Sequence, residues 1–323
     1  AFLAVREEGA GKRVGRSVAM LFLTGVVIEL ALMPIVLFHF HRAGLYGALA
    51  NVIAIPLVTF LSMPLIALAL LLDLVGLGAP VWWLAGLSLD AMLAIAHFTA
   101  SQPGAVKLSP AIAPSTFALF VIGLLWLALW RGKARLWGLV PVALATVLVV
   151  REPVPDILIT GDGQHVAITG LTDGSQEIVF LRDTQSTYTR DNLLELAASA
   201  AEPVPMAEHP AARCTAEFCA IGVQRSGETL ELLMARGRTM VTERDLAAAC
   251  ERADIVVADR WLPRSCKPRW IKADKRLLSR TGGLALSLKD RAVTTVAAGQ
   301  GQHGWWRGRD QPAPRTRRPR HEP

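Results

Sequence analysis

The chain reads as a polytopic α-helical membrane bundle followed by a soluble α/β domain. Three observations predict this. Of its 323 residues, 52% are hydrophobic, and the mean hydropathy is +0.37, too apolar for an ordinary soluble protein of this size. The apolar residues are concentrated before residue 150, in long unbroken runs. Beyond that point, short β-branched runs alternate with mixed helical segments and glycine-containing turns. The organisation that follows is a membrane region over residues 1–150, an extracytoplasmic α/β domain over 151–298 and a basic, disordered tail over 299–323.

Residues 1–16 are polar and basic, with Arg6, Lys12, Arg13 and Arg16. The chain begins at Ala1 without methionine and shows no clear signal peptide. It is therefore read as a fragment whose earlier helices precede it. The first apolar run, 17–38, is long enough to span a bilayer. It contains Glu29 and Pro34. A carboxylate at membrane depth is costly unless it faces water or a partner. Glu29 is thus either functional or a structural hydrogen bond to a neighbouring helix.

The second run, 46–72, exceeds the thickness of a bilayer core. It is expected to be one tilted, kinked helix or two pieces broken near Pro56 or Pro64. The third, 81–98, opens on Trp82 and Trp83, a pair suited to the headgroup level. It carries Asp90 and His97 on one helical face, which faces another helix or water unless the segment lies flat. Prolines and Gly104 close it. The fourth and fifth runs, 115–130 and 136–150, are close to the lower length limit. Arg131, Lys133 and Arg135 lie between them. With the basic N-terminus and this basic loop both cytoplasmic, everything after residue 151 falls outside the cytoplasm.

In the second part, strands are expected at 156–160, 165–169 and 177–181, a helix at 191–200 capped by Asp191, and a strand pair 217–224 and 229–235 across Ser226-Gly227. A helix follows at 242–252 with Thr242 at its start, then strands at 255–259, 284–288 and 293–297. All four cysteines lie here: Cys214, Cys219, Cys250 and Cys266. An even count outside the cytoplasm permits disulfides. The favoured pairing is Cys214–Cys219 and Cys250–Cys266. Free buried thiols and a metal site are the other readings, and the spacing suits metal poorly.

The net charge is +7, much of it from arginines of the tail. A basic balance favours polyanions such as nucleic acid or anionic lipid. For the tail alone, a solubilising end accounts for it as well.

The stretch 38–65, FHFHRAGLYGALANVIAIPLVTFLSMPL, organises the chain. Two histidines and an arginine stand at the mouth of an apolar run that Asn51, Pro56 and Pro64 interrupt. Such residues are tolerated at membrane depth where they face protein or a water-filled path. His39-x-His41-Arg42, then Ala50-Asn51, then Ala54-Ile55-Pro56-Leu57-Val58, resembles the competence region of ComEC-type DNA-uptake channels. Pro103-Gly104-Ala105 is similar to a turn common in that region. After its last membrane run the family continues into a metallo-β-lactamase-like domain opening with a strand and Asp-Val-Gly-Gln-Gly-Asp. Here Ile159-Thr160-Gly161-Asp162-Gly163-Gln164-His165 stands in that place, and only Gly163-Gln164 matches.

The resemblance implies an inner-membrane channel component that moves single-stranded DNA into the cytoplasm during natural transformation. Its conducting region would be Glu29, His39, His41, Arg42, Asn51 and Pro56. Arg42 and the histidines would guide phosphates, Glu29 and Asn51 would line the path or hold helices, and Pro56 would shape a helix break. The partners implied are single-stranded DNA, the lipid bilayer, an external DNA receptor and a cytoplasmic helicase-like motor. No cofactor is expected. The His-x-His-x-Asp-His cluster of metallo-β-lactamase-type hydrolases is missing. After His165 only His209, His303 and His321 remain. Asp162, Asp173, Asp183, Asp254 and Asp259 read as turn and strand-end carboxylates, and His165 as a surviving ligand or an ordinary strand residue. The soluble domain is therefore expected to be a degenerate, metal-free scaffold.

Two rivals compete. A small-solute permease or sensor with an external regulatory domain predicts a solute-sized site at Glu29 and Asn51. A membrane-anchored metal-dependent phosphodiesterase predicts bound metal.

Overall fold

The computed structural model describes residues 10–300 apart from single positions 45, 176, 183, 185, 238 and 240. Arg6, Asp183 and residues 301–323 of the basic tail, with His303 and His321, lie outside the described residues, whereas residues 299 and 300, expected to be disordered, end a short helix. The chain divides into two compact units, Ala1–Glu152 and Pro153–Pro323.

The first unit is helical. Helix α1 (Ala10–Phe40) contains Pro34. A three-residue strand, β1 (Arg42–Gly44), follows. Helices α2 (Gly47–Leu57) and α3 (Met63–Asp73) are joined without a break by a π turn, Val58–Ser62. The second apolar run is therefore one continuous helix. Proline removes the donor that an α-helix needs four residues back. Between Pro56 and Pro64 the ladder shifts instead, and the Met63 N–H donates to the Val58 carbonyl five residues back. One wide turn thus absorbs what would otherwise be a kink. The turn also aims Ser62 at α4 (Ala79–Ala100), where the buried Ser88 hydroxyl donates to it at 3.1 Å. Asp90 and His97 lie on the exposed face of α4, away from the side that carries Ala85 and Ser88. Trp82 donates to Asp73 at 2.7 Å, tying the start of α4 to the end of α3.

Strand β2 (Val106–Leu108) pairs antiparallel with β1. Helices α5 (Pro114–Leu129) and α6 (Leu139–Val150) are joined by a 3-10 segment, Gly132–Gly138. A Cβ at Gly123 would stand 2.9 Å from the Gly138 carbonyl. That close backbone approach is typical of small residues at membrane helix interfaces. Among the described residues, four helices are long and apolar enough to cross a membrane: Gly11–Phe40, Gly47–Asp73, Ala79–Ala100 and Gly132–Val150. The 16-residue α5 is shorter than that criterion.

The second unit is built of two sheets. Six strands run in the order β13-β12-β3-β4-β5-β6: β3 (Ile157–Thr160), β4 (Val166–Thr169), β5 (Ile178–Phe180), β6 (Val204–Pro205), β12 (Gly283–Ser287) and β13 (Ala292–Thr295). Five run in the order β11-β10-β9-β8-β7: β7 (Arg213–Cys214), β8 (Phe218–Arg225), β9 (Glu228–Ala235), β10 (Ile255–Val257) and β11 (Ile271–Ala273). Strand alternation assigns the faces. Ile157, Ile159 and Ile168 join Ile221, Leu232 and Ile255 in one buried cluster between the sheets. Their neighbours Leu158, Ala167 and Ile178 face the other way, onto Leu193 of α7 (Thr187–Leu196). Val256 packs on Leu246 and Cys250 of α8 (Glu243–Arg252). The unit is a four-layer helix/sheet/sheet/helix sandwich, completed by α9 (Lys275–Thr281) and α10 (Val296–Gln300).

Local signals explain several of these elements. Ser226 (φ 52°) and Gly227 (φ 84°) both take left-handed backbone between β8 and β9, the geometry that lets a two-residue turn follow strand twist. Thr242 caps α8 by accepting from the Asp245 N–H. The helix expected at 191–200 instead begins at Thr187, because Ser186 accepts from the Thr189 N–H and caps it earlier; Asp191 lies inside it. The last expected strand stops at Thr295 and turns into α10. The four cysteines form two disulfides, Cys214–Cys219 and Cys250–Cys266.

Candidate functional site

Glu29 stands partway along α1 and reaches the start of α2. The first N–H groups of any helix lack intrahelical acceptors. Tyr46, at the cap position of α2, supplies no side-chain bond. The Glu29 Oε2 takes that role and accepts from the Ala48 N–H at 2.5 Å. A carboxylate there also meets the positive end of the helix dipole. Of the two readings of Glu29, the interhelical bond is realised. Glu29→Ala is expected to lower thermal stability by about 1 kcal/mol through loss of this cap, with Glu29→Gln losing less. Detergent-solubilised protein followed by heating tests both; equal midpoints for Glu29→Ala and the parent contradict the capping role.

The same carboxylate forms the wall between two grooves of the helical unit. One, of about 350 Å³, runs along α1, β1 and α2 and is lined by Thr24, Glu29, Ala43, Gly44 and Asn51 among aliphatic residues. The other, of about 320 Å³, lies toward Phe22, Tyr46 and Leu49. Glu29 and Asn51, 22 positions apart in the chain, thus meet in one groove.

The remaining candidates gather beside it. His39 lies in the last turn of α1, against the rings of Phe38 and Phe117. His41 has φ 54° and ends the helix. Its N–H donates to the Leu37 carbonyl at 3.1 Å, and its own carbonyl accepts from Ser109 at 2.8 Å. Left-handed backbone in a residue other than glycine is uncommon and closes a helix as glycine does. Arg42 opens β1 opposite Leu108, and its side chain is exposed. Pro56 is half-buried, just before the π turn, and lines neither groove.

Sequence reading missed Lys107, which pairs with Ala43 across the ribbon and is exposed. Two three-residue strands more than 60 residues apart carry no alternation to find. The Tyr46 hydroxyl, donating to the Pro103 carbonyl at 3.2 Å, holds the same two segments together. Arg42 lies opposite Leu108 and Lys107 opposite Ala43, so alternation sets the two cations on opposite faces of a ribbon whose Ala43 and Gly44 line the groove.

In the second unit, Thr160 to His165 form the turn between β3 and β4. Asp162 Oδ1 accepts from the Thr160 hydroxyl and from the Gln164 N–H at 3.0 Å, as a turn carboxylate does. His165 is half-buried, and its Nδ1 has no hydrogen-bond partner. Asp259 pairs with Arg182 at 3.8 Å, and Asp254 with Arg269 at 3.6 Å. Among the described residues, no group of three or more His, Cys, Asp or Glu side chains is arranged to hold a metal ion.

Among the described residues, a helical unit with four potential membrane spans, largely apolar grooves and a following α/β sandwich is the build of a polytopic membrane protein. Residues 3–134 match the family model described as Competence protein. That match covers most of the helical unit and stops short of the second one, so it extends over less of the chain than the sequence resemblance implies. Over 77 residues the chain is 42% identical to a protein of Escherichia coli (strain K12) named "Uncharacterized protein YcaI". The match covers 23% of this chain and 10% of that relative's length. No solved structure matches the chain.

Proposed function

We propose that the helical unit forms part of an inner-membrane path for single-stranded DNA entering the cytoplasm during natural transformation. The observation that carries this reading is the join between the ribbon that bears Arg42 and Lys107 and a mainly aliphatic groove that holds Glu29 and Asn51. Arg42 and Lys107 can draw phosphates by charge, and Ala43 leads into a groove whose polar side chains are Thr24, Glu29 and Asn51. Polar side chains there mark pathways more often than anchors. The Competence family match over residues 3–134 supports the same direction. In this reading Glu29 fixes the width of the path by holding α1 to α2, and Asn51 faces the passing strand.

The second unit lies outside the cytoplasm in this proposal. Its two disulfides support that side, since such bonds persist in oxidising compartments. It is a degenerate metallo-β-lactamase-like module. The Gly163-Gln164 turn after a buried strand supports this scaffold, and among the described residues no metal-ligand cluster is assembled on it. An external DNA receptor and an internal helicase-like motor are the partners this function requires. A small-solute permease remains as second reading, because a groove of about 350 Å³ is solute-sized.

Deletion of the gene tests the proposal. The expected result is loss of labelled DNA from the protected cytoplasmic fraction while surface-bound DNA persists. Undiminished import overturns it and favours the permease.

A further inference from the structure

We infer that the loop between β10 and β11, together with α9, is a binding surface for single-stranded nucleic acid. It stands apart from the channel reading, since it concerns binding by the second unit and is read out without cells. Residues 260–280 contain eight basic residues against one acid, Asp274. This short stretch therefore carries as much net positive charge as the entire chain, +7. Asp274 is buried and caps α9 by accepting from the Leu277 N–H at 3.1 Å, so it does not offset the exposed charge.

Six of the cations are exposed: Arg264, Lys267, Arg269, Lys275, Arg276 and Arg280. Arg269 is paired with Asp254. Among the described residues, Arg264, Lys267 and Lys275 make no ion pair. In the same stretch Trp261 is 64% exposed. The Arg276 guanidinium lies over its ring at 5.7 Å from the centroid. An exposed indole in a field of cations is the arrangement that holds single strands: bases stack on the ring while phosphates meet the charges.

The surface is preorganised. The Cys250–Cys266 disulfide ties the loop to the end of α8. Lys272 Nζ donates to the Pro263 carbonyl at 2.6 Å, Ser265 Oγ to Glu243 at 2.6 Å, and the Lys275 N–H to the Arg260 carbonyl at 3.2 Å. Strand β11 is the outer strand of its sheet, so the surface is not crossed by a neighbouring strand. An anionic lipid surface would want the same charges. It would also want several exposed apolar side chains to enter the headgroup layer. Among the described residues between Tyr188 and Val293, Trp261 is the exposed large hydrophobic residue. One aromatic among many cations fits a base better than a bilayer.

The test uses the full chain in nanodiscs of uncharged lipid, with fluorescence anisotropy of labelled oligothymidine about 20 nucleotides long. Binding is expected, falling with salt. Trp261→Ala is expected to weaken it about tenfold, and Trp261→Phe to restore most of it. Joint Arg264→Glu and Lys275→Glu is expected to weaken it further and to flatten the salt dependence by about 0.7 log units per lost phosphate contact. Thiol titration checks that both disulfides remain in each variant. The inference is overturned if the parent fails to bind the oligonucleotide, if the variants bind like the parent, or if only vesicles containing anionic lipid compete.

Discussion

Asp156→Ala is expected to destabilise the second unit by about 3–5 kcal/mol, the range for leaving one charge of a buried pair uncompensated. Asp156 precedes β3 in the six-stranded sheet, and Arg225 ends β8 in the five-stranded one. Their side chains are 13% and 11% exposed. Arg225 Nε donates to Asp156 Oδ1, and its NH2 donates to the Thr169 and Gly170 carbonyls at 2.6 and 2.9 Å. The other Asp156 oxygen accepts from the Leu288 N–H at 2.7 Å. One carboxylate therefore ties the start of β3, an interior strand of one sheet, to the end of β8, an interior strand of the other, and to the end of β12. Alanine strands the guanidinium and the Leu288 donor together. Asparagine keeps the shape and one acceptor, and a loss of about 1–3 kcal/mol is expected. Pulse proteolysis across a urea series reads both variants; an unchanged midpoint for Asp156→Ala contradicts this account of how the sheets are joined.

Removing the Cys250–Cys266 disulfide by paired alanine substitution is expected to cost about 3 kcal/mol, and removing Cys214–Cys219 about 2 kcal/mol, in the chain-entropy view of cross-links. The difference follows from sequence separations of 16 and 5. Cys250 and Cys266 are also buried beside Leu246 and Val256, so the larger loss carries lost packing with it. The urea midpoints of the two alanine pairs measure the order. A larger shift for the Cys214–Cys219 pair contradicts it. The Cys250–Cys266 variant also releases the loop that presents Trp261, and its oligonucleotide binding is expected to fall with its stability.

The helical unit was legible in the sequence because a membrane span needs only length and apolarity, and the first three long runs supply both. Continuity through Pro56 and Pro64 was not legible. A π turn depends on which carbonyl the Met63 N–H selects, and composition does not encode that choice. The β8–β9 hairpin was legible from Ser226-Gly227 between two alternating runs. Strand β11 and α9 were hidden inside the basic stretch, although Asp274 as a cap and Gly282 with φ 70° past the last turn are helix signals of the ordinary kind. At the candidate site, the cost of Glu29 in an apolar run announced that it needed a partner. The partner is a backbone N–H of the next helix, which no side-chain pattern reveals. Lys107 escaped for the same reason: its place opposite Ala43 is set by backbone pairing between segments far apart in the chain.

The most direct test of the proposed path is transformation frequency in cells carrying Arg42→Ala or Asn51→Leu in the full-length gene, with protein levels verified by blot. Arg42 is exposed on the ribbon, and Asn51 lines the groove with its side chain exposed, so neither substitution empties a packed core. The proposal predicts a collapse of DNA import at normal protein level for both. Import at the parental rate in both variants would contradict a DNA path along the ribbon and groove.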